Sequence, residues 1–254
     1  MTTILVTGAS GNLGSALLPR LTPTYDVRPM SRRSRPGWVA ADLATGKGVS
    51  EAVRGADVVV HLASSPTRTR ATDVEGTRLL ARAAATAGVR HFLYMSIIGI
   101  DRVPLPYYRR KLEAESVARL SGVPFTLLRA AQFPQLIDTF LKASSRLGPS
   151  LIDRRLVFQP VAVEDVAGRI AELIAGPPVQ GIVEFGGPRR LTLDELATAW
   201  KRGSCRPTWP IHIPGRFGRE LRAGALTTSA EPRGTRTWED YLSRLSAEAG
   251  RGRG

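Results

Sequence analysis

Thr2-Thr3-Ile4-Leu5-Val6-Thr7-Gly8-Ala9-Ser10-Gly11-Asn12-Leu13-Gly14 opens the chain and decides its fold. The run Thr2–Thr7 is short and apolar, the composition of a buried strand. It ends in glycines spaced G-x-x-G-x-x-G, and past them Leu13, Ala16, Leu17 and Leu21 recur at helical spacing. Pro19 interrupts that spacing and is expected to kink or shorten the helix. A strand, a glycine turn and a helix in this order form an anion cradle. Gly8 allows the tight turn, Gly11 lets main-chain N–H groups approach a diphosphate at the positive end of the helix, and Gly14 lets the helix pack close to the sheet. The pattern thus points to a dinucleotide held by Gly8, Ser10, Gly11, Asn12, Leu13 and Gly14.

The same alternation continues outward. Tyr25–Met30, Trp38–Ala41, Asp57–Ala63, Phe92–Ser96 and Phe125–Arg129 read as strands. Val49–Arg54, Thr72–Ala87 and Tyr107–Leu120 read as helices, the latter two closed by Gly88 and Gly122. Strand and helix alternate five times in about 130 residues, which predicts an α/β fold, a doubly wound parallel sheet of Rossmann type with helices on both faces. Residues 1–132 are the expected dinucleotide-binding core. Residues 133–248 form a small C-terminal substrate-binding region, with 156–185 returning to the core. Beyond Ala130 the rhythm loosens: Phe133–Leu147, Glu164–Ile174 and Trp238–Ala247 read as helices, and Leu156–Phe158 and Ile182–Phe185 as strands. Thr192 with Glu195 forms a capping box for a helix reaching about Trp200. The Pro-rich stretch Gly203–Gly215 has no clear period, and 249–254 are expected to be a disordered tail.

The end of the second strand bears on the cofactor. A binder of NAD usually carries an acid there for the ribose 2′-hydroxyl. Here the stretch is Pro29-Met30-Ser31-Arg32-Arg33, and Arg32 is placed to meet a 2′-phosphate, so NADP(H) is expected over NAD(H). Asp42 is a candidate acceptor for the adenine amino group, with Leu43 packing on the ring; the alternative is an Asp that caps the next segment. Ala63 and Ser64 end a central strand at the carboxyl edge, where ligands bind in open α/β sheets. His61, inside that apolar strand, reads as a hydrogen-bonded core residue.

Composition narrows the class. The formal charge is +14, almost all of it Arg, scattered apart from Arg32-Arg33-Ser34-Arg35 and the tail Arg251-Gly252-Arg253. Without a helix-turn-helix, zinc or aromatic-basic signature this reads as composition, and no nucleic-acid partner is expected. Cys205 is the single cysteine, so no internal disulfide forms. No apolar run reaches the ~20 residues that span a membrane, the N-terminus reads as no signal peptide, and a cytoplasmic protein with no metal site and a small-molecule substrate is expected. Its oligomeric state, monomer or homodimer, is left open.

T-G-A-S-G-N-L-G at Thr7–Gly14, H-L-A-S at His61–Ser64, Y-M-S-I-I-G at Tyr94–Gly99, Y-Y-R-R-K-L-E-A-E at Tyr107–Glu115 and L-R-A-A-Q-F at Leu128–Phe133 together resemble the atypical or extended short-chain dehydrogenase/reductase superfamily, most of all its NmrA-like NAD(P)H-binding branch. The segment Pro160–Ala167 is similar to one that follows the core sheet there. The resemblance implies catalysis by Ser96, Tyr107 and Lys111, the last two spaced Y-x-x-x-K. Four residues apart on a helix, they share a face, and an ammonium near the phenol is expected to lower its pKa, making Tyr107 a general acid to a carbonyl oxygen. Tyr108 is a competitor for that role. Lys111 would also hold the nicotinamide ribose, Ser96 the carbonyl oxygen, and Gln132 would stand by the carboxamide. Phe133, Leu136, Ile137 and Phe140 are either an apolar substrate wall or the buried stripe of a helix, the latter favoured for Leu136 and Phe140. The implied activity is an NADPH-dependent reductase of a small carbonyl or quinone-like compound. A non-catalytic NADP(H) sensor and an epimerase or dehydratase of sugar-nucleotide type are the alternatives.

Overall fold

In the computed structural model, residues 1–65, 70–145, 149–201 and 208–251 are described. The opening run forms strand β1 (Thr3–Thr7), buried along its whole length. Its side chains alternate between two cores: Ile4 and Val6 join one cluster and Leu5 the other, as the two-residue period of a strand requires. A strand apolar at every position must be covered on both faces.

β1 pairs in parallel with β2 (Asp26–Ser31) on one side and with β4 (Val58–His61) on the other. With β3 (Val39–Ala40), β5 (His91–Ile97), β6 (Phe125–Ala130) and β9 (Gly181–Phe185), the sheet has seven strands in the order β3-β2-β1-β4-β5-β6-β9. The doubly wound α/β fold is therefore present. The order reverses between β1 and β4, and the crevice beyond their carboxyl ends is where such sheets bind ligands.

Helices α1 (Asn12–Leu21) and α6 (Val163–Ala175) pack against each other on one face. Leu17 and Ile170 are buried there beside Val6 and Val60. On the other face α2 (Val49–Val53), α3 (Gly76–Thr86) and α4 (Pro106–Arg119) cover Val59, Phe92 and Tyr94. Pro19 lies within the last turn and does not cut α1 short.

The remaining chain builds a third core around Ile137, Leu141, Ile152, Leu196 and Trp238. It comprises α5 (Pro134–Ser144), β7 (Ser150–Ile152), β8 (Val157–Phe158), β10 (Leu191–Thr192), α7 (Leu193–Trp200), β11 (Thr208–Pro210), α8 (Gly215–Arg222) and α9 (Trp238–Arg251). The buried carboxylate of Asp138 gathers it, accepting from Lys142 Nζ at 2.7 Å, Trp200 Nε1 at 2.8 Å and Tyr241 hydroxyl at 3.2 Å. The Thr192–Glu195 capping box is formed. From the middle region, α6 and β9 return to the main sheet.

Several elements differ from expectation. Thr72–Ala87 is not one helix: a π-helical turn, Arg70–Glu75, precedes α3. A Cβ on Gly76 would lie 2.8 Å from Leu43 Cβ, so the helix meets that loop where only glycine fits. β7, β11 and α8 were invisible because strands of three residues carry no period and α8 buries a single leucine, Leu221. The end of the chain was expected to lose order from 249, but α9 continues to Arg251, with 252–254 outside the described residues. Cys205 also lies outside them.

His61 is the core histidine its strand implied. Thr77 donates its hydroxyl to Asp73 O and so accepts from His61 Nε2 at 2.9 Å. Thr7 accepts from Ala63 N–H and donates to His61 Nδ1 at 2.7 Å. The ring is thus neutral with its proton on Nε2. Burial, aided by the Lys111 charge, lowers its pKa to about 3. Burial alone lowers that of His91 to about 4. Below pH ~6.5 the unfolded chain takes up protons that the native imidazoles refuse, so stability falls as pH falls from about 6.5 toward 4. His91→Gln should flatten the stability–pH slope in that window by up to about 1.4 kcal/mol per pH unit, measured by urea unfolding at several pH values; an unchanged slope would contradict it.

Candidate functional site

The site grows from the turn after β1. Gly8 has φ +67°, and a Cβ there would lie 2.7 Å from Ala63 N at the end of β4. A Cβ on Gly14 would lie 2.5 Å from both Ala9 Cα and Gly8 O. Gly11 N donates to Gly8 O at 3.0 Å and closes the turn. Gly11 is also the N-cap of α1, which has no side-chain cap and no acid in its first turn. The first amides of the helix therefore face the crevice without a resident partner side chain, as an anion site requires.

A cleft of about 270 Å³ opens over this turn. Of the residues singled out in the sequence, Gly8, Ser10, Gly11, Arg32, Asp42, Leu43, Ala63 and Ser64 line it, joined by Thr7, Met30, Ser31, Leu62, Ser65 and Thr72. Asn12 is exposed on the first turn, while Leu13 and Gly14 are buried beneath it and serve packing. A neighbouring cleft of about 490 Å³ is lined by Ser10, Ser31, Arg32, Arg33, Arg35 and Asp42. Arg35 stacks its guanidinium over the Trp38 ring at 5.0 Å, whereas Arg32 and Arg33 form no ion pair among the described residues. Asp42 caps the segment after it, Oδ1 accepting from Ala44 N at 2.9 Å, and the residue lines both clefts.

Ser64 connects this cleft to the second group of candidates. Its hydroxyl donates to Asp73 Oδ1 at 2.6 Å and lies 3.0 Å from the Tyr107 hydroxyl. Asp73, fully buried on the π-helical turn, also accepts from Ser65 N at 3.1 Å and sits 3.9 Å from Lys111 Nζ. The sequence reading missed Asp73; its one signal was a carboxylate inside an Ala/Leu-rich helical run. Asp73 lies behind the cleft, held on the π segment against Ser64 and Ser65, and such bulges are frequent at functional sites.

Lys111 does not sit where the Y-x-x-x-K spacing suggested. Its ammonium donates to Met95 O at 2.8 Å and lies over the Tyr94 ring, 4.2 Å from the centroid. Burial lowers its pKa to about 8, against the opposing pull of Asp73 and Glu115. The phenol of Tyr107 is shifted up, not down: burial is the main cause and Asp73 adds to it, while the Ser64 hydrogen bond works the other way. The expected lowering fails because the cation is committed to the backbone and to Asp73. Tyr108 is packed into the third core, where burial raises its pKa to about 12, so it does not compete for the cleft.

Ser96, at the carboxyl end of β5, is buried with no partner for Oγ among the described residues, and the same holds for both amide atoms of Gln132 and for the Tyr94 hydroxyl. Unpaired buried polar atoms cost about 1–3 kcal/mol each. At the carboxyl edge of a sheet they are what a ligand's amide or hydroxyl groups would satisfy. Together with the glycine cradle and the uncapped helix, they fit a nicotinamide dinucleotide. The wall residues divide. Ile137 is buried and Phe133 partly so, but Leu136 and Phe140 are 61% and 46% exposed, hence not the buried stripe that was favoured for them.

Over 218 residues the chain is 29% identical to the (4-alkanoyl-5-oxo-2,5-dihydrofuran-3-yl)methyl phosphate reductase of Streptomyces griseus, covering 80% of this chain and 74% of that protein. It is 35% identical over 104 residues to the L-arabinose 1-dehydrogenase (NAD(P)(+)) of Haloferax volcanii, covering 38% and 41%. Its fold matches the NADPH-dependent quinone oxidoreductase of Escherichia coli solved with NADPH, at TM-score 0.80 and 21% identity over 96% of this chain and 99% of that one. Among the described residues no helix is long and apolar enough to cross a membrane. Gly14→Ala should raise the calorimetric Kd for NAD(P)H at least about tenfold, since its Cβ must displace the cradle backbone; unchanged affinity in a folded variant would refute the cradle. The family described as NAD(P)H-binding is matched over residues 8–177, and the chain belongs to it, in keeping with its resemblance to the extended short-chain dehydrogenases/reductases.

Proposed function

We propose that this protein is an NADPH-dependent reductase of a small carbonyl or quinone-like compound. The observation that carries the reading is the Tyr107 phenol. It reaches the edge of the dinucleotide cleft through Ser64 and is held in its protonated form by burial and by Asp73. A phenol kept protonated is a proton donor, which suits reduction of a carbonyl better than oxidation of an alcohol.

The bound reduced nicotinamide would supply the hydride. Tyr107 gives its proton to the carbonyl oxygen, and the buried Ser96 hydroxyl, without a partner among the described residues, is the second donor offered to the same oxygen. Gln132 offers an unpartnered buried amide to the carboxamide. Lys111 supplies a buried positive charge to this end of the cleft. The preference for the 2′-phosphorylated coenzyme rests on Arg32 and Arg33, which face the second cleft with no competing ion pair among the described residues. The names of the relatives support reductase chemistry.

A second reading, an NADP(H)-binding sensor without turnover, draws on the Lys111 ammonium being bonded to Met95 O rather than to the phenol. Stopped-flow absorbance at 340 nm against a panel of quinones and ketones separates the two. The reductase oxidises NADPH, and Tyr107→Phe slows it by about 10²-fold or more. Tight NADPH binding with no oxidation by any acceptor would leave the sensor. Arg32→Ala should weaken NADPH about 10- to 100-fold, from loss of a charge-assisted phosphate contact, and leave NADH binding unchanged; equal losses for both would contradict the assignment.

A further inference from the structure

The third core leaves one of its faces without cover among the described residues. β7 and β11 pair in parallel, with Leu151 opposite Trp209. Side chains alternate along a strand, so Ser150 and Ile152 turn inward and are buried, while Leu151 turns outward, 50% exposed. Trp209 and Ile211, two residues apart, are 59% and 42% exposed. Helix α5 continues the face: Leu136 and Phe140, four residues apart on one side of it, are exposed too. Between α5 and the two strands runs an open groove of about 420 Å³, lined by Ala143, Ser144, Pro149, Leu151 and Trp209. Five of the ten large apolar side chains exposed among the described residues thus lie together. Scattered single ones need no explanation, but a contiguous patch marks a surface that meets another. The rim is basic. Arg154 donates to Thr208 O at 3.1 Å, beside Trp209, and Arg155 to His212 Nδ1 at 3.2 Å, beside Ile211; both are exposed. Lys142 adjoins the groove residues Ala143 and Ser144 and is largely exposed. The acids that meet these cations offer little negative surface. Asp138 and Asp153 are buried, and Asp194 is paired with Arg154 at 3.2 Å.

We propose that this face seats the protein on a bilayer that carries anionic lipid headgroups. Trp209, Leu151 and Ile211 enter the boundary between headgroups and acyl chains, and Arg154, Arg155 and Lys142 meet the phosphates. An apolar patch inside a basic rim matches such a surface in both respects, and the formal charge of +14 draws the whole chain to it. Trp suits that boundary because its ring joins an apolar body to one polar N–H. A second copy of this chain is the poorer match. A two-fold contact sets the patch against itself and brings basic rim against basic rim. No spanning helix is needed, since an element lying in the interface binds through buried area and charge. The proposal is independent of the reductase reading, because none of its residues lines the dinucleotide cleft.

The test is sedimentation of the full chain with vesicles of phosphatidylcholine and phosphatidylglycerol, against vesicles of phosphatidylcholine alone. The native protein should sediment with the anionic vesicles and far less with the neutral ones, and its Trp fluorescence should shift to the blue on binding. Salt at about 0.5 M should weaken binding about tenfold or more. Trp209→Ser and Leu151→Ser, which leave the charge unchanged, should each weaken it about tenfold. Arg155→Gln should weaken it about fivefold. Leu120→Ser, at an exposed leucine after α4 and outside this face, should leave it unchanged. Should Trp209→Ser fail to fold, Leu151→Ser decides alone. No sedimentation with anionic vesicles overturns the proposal. So does binding that survives both serine variants undiminished, since net charge alone then holds the protein. A free protein that is dimeric by analytical ultracentrifugation and becomes monomeric in Leu151→Ser also overturns it, and gives the face to a second copy.

Discussion

Everything at the carboxyl edge of the sheet depends on how closely the turn after β1 approaches the end of β4. At Gly8 the two backbones are so near that a single Cβ would lie 2.7 Å from Ala63 N, and at Gly14 the helix lies equally tight on the turn it leaves. Close packing of this kind tolerates no added methyl without backbone movement. The approach does two things at once. It aims the free amides of α1 into the crevice, and it brings the β4 end, with Ser64, within reach of the same cleft. A helix start with free amides facing the crevice and a link to the α4 side chains thus follow from one steric constraint.

A second constraint fixes α4 itself. Arg129 on β6 donates from Nε and from one terminal nitrogen to the two oxygens of Glu115, at 2.9 and 2.8 Å, and from the other to Asp101 at 3.0 Å. Both Arg129 and Glu115 are buried. Such a pair contributes little net stability compared with apolar residues of the same shape, yet losing either partner strands a buried charge at about 3–5 kcal/mol. Its geometry is bidentate, so it specifies rotation and height of the helix as well as contact. Tyr107 and Lys111 lie two turns and one turn before Glu115 on that helix, and their placement against β5 is set by this anchor. Glu115 further supports the charge on Lys111, opposing burial.

The sheet was legible because β1, β4 and β5 are buried on both faces and read as unbroken apolar runs, and because Gly88 and Gly122 mark helix ends with positive φ. The tight turn after β1 was legible because its close approaches need glycine at particular spacings. What sequence could not carry was direction. Y-x-x-x-K put Lys111 on the same helical face as Tyr107, but a lysine four residues along can turn to a carbonyl on the neighbouring strand, and Met95 O took it. Asp73 was hidden because a π segment of six residues is too short to show its period against the helix that follows. The small C-terminal elements were hidden because they are held by tertiary partners: Gly218, for example, would place a Cβ 2.0 Å from Ile213 O, a contact no local pattern announces.

The site also carries an energetic signature. Ser96 Oγ, the Tyr94 hydroxyl and both polar atoms of Gln132 are buried without partners among the described residues, although folding normally pairs such groups. A carboxylate and an ammonium, Asp73 and Lys111, are buried as well, 3.9 Å apart, with the ammonium over the Tyr94 ring. Each unpaired group weakens the protein on its own, so this cluster is a local loss of stability at one end of the sheet. Binding that satisfies these atoms reverses that loss only in the folded state, and by mass action the native form gains with ligand concentration. Stability and occupancy are therefore coupled through the same few atoms. Replacing Gln132 by an apolar residue of like volume should then stabilise the free protein, because an unsatisfied buried amide is removed, and should weaken coenzyme binding if the proposed carboxamide contact is made.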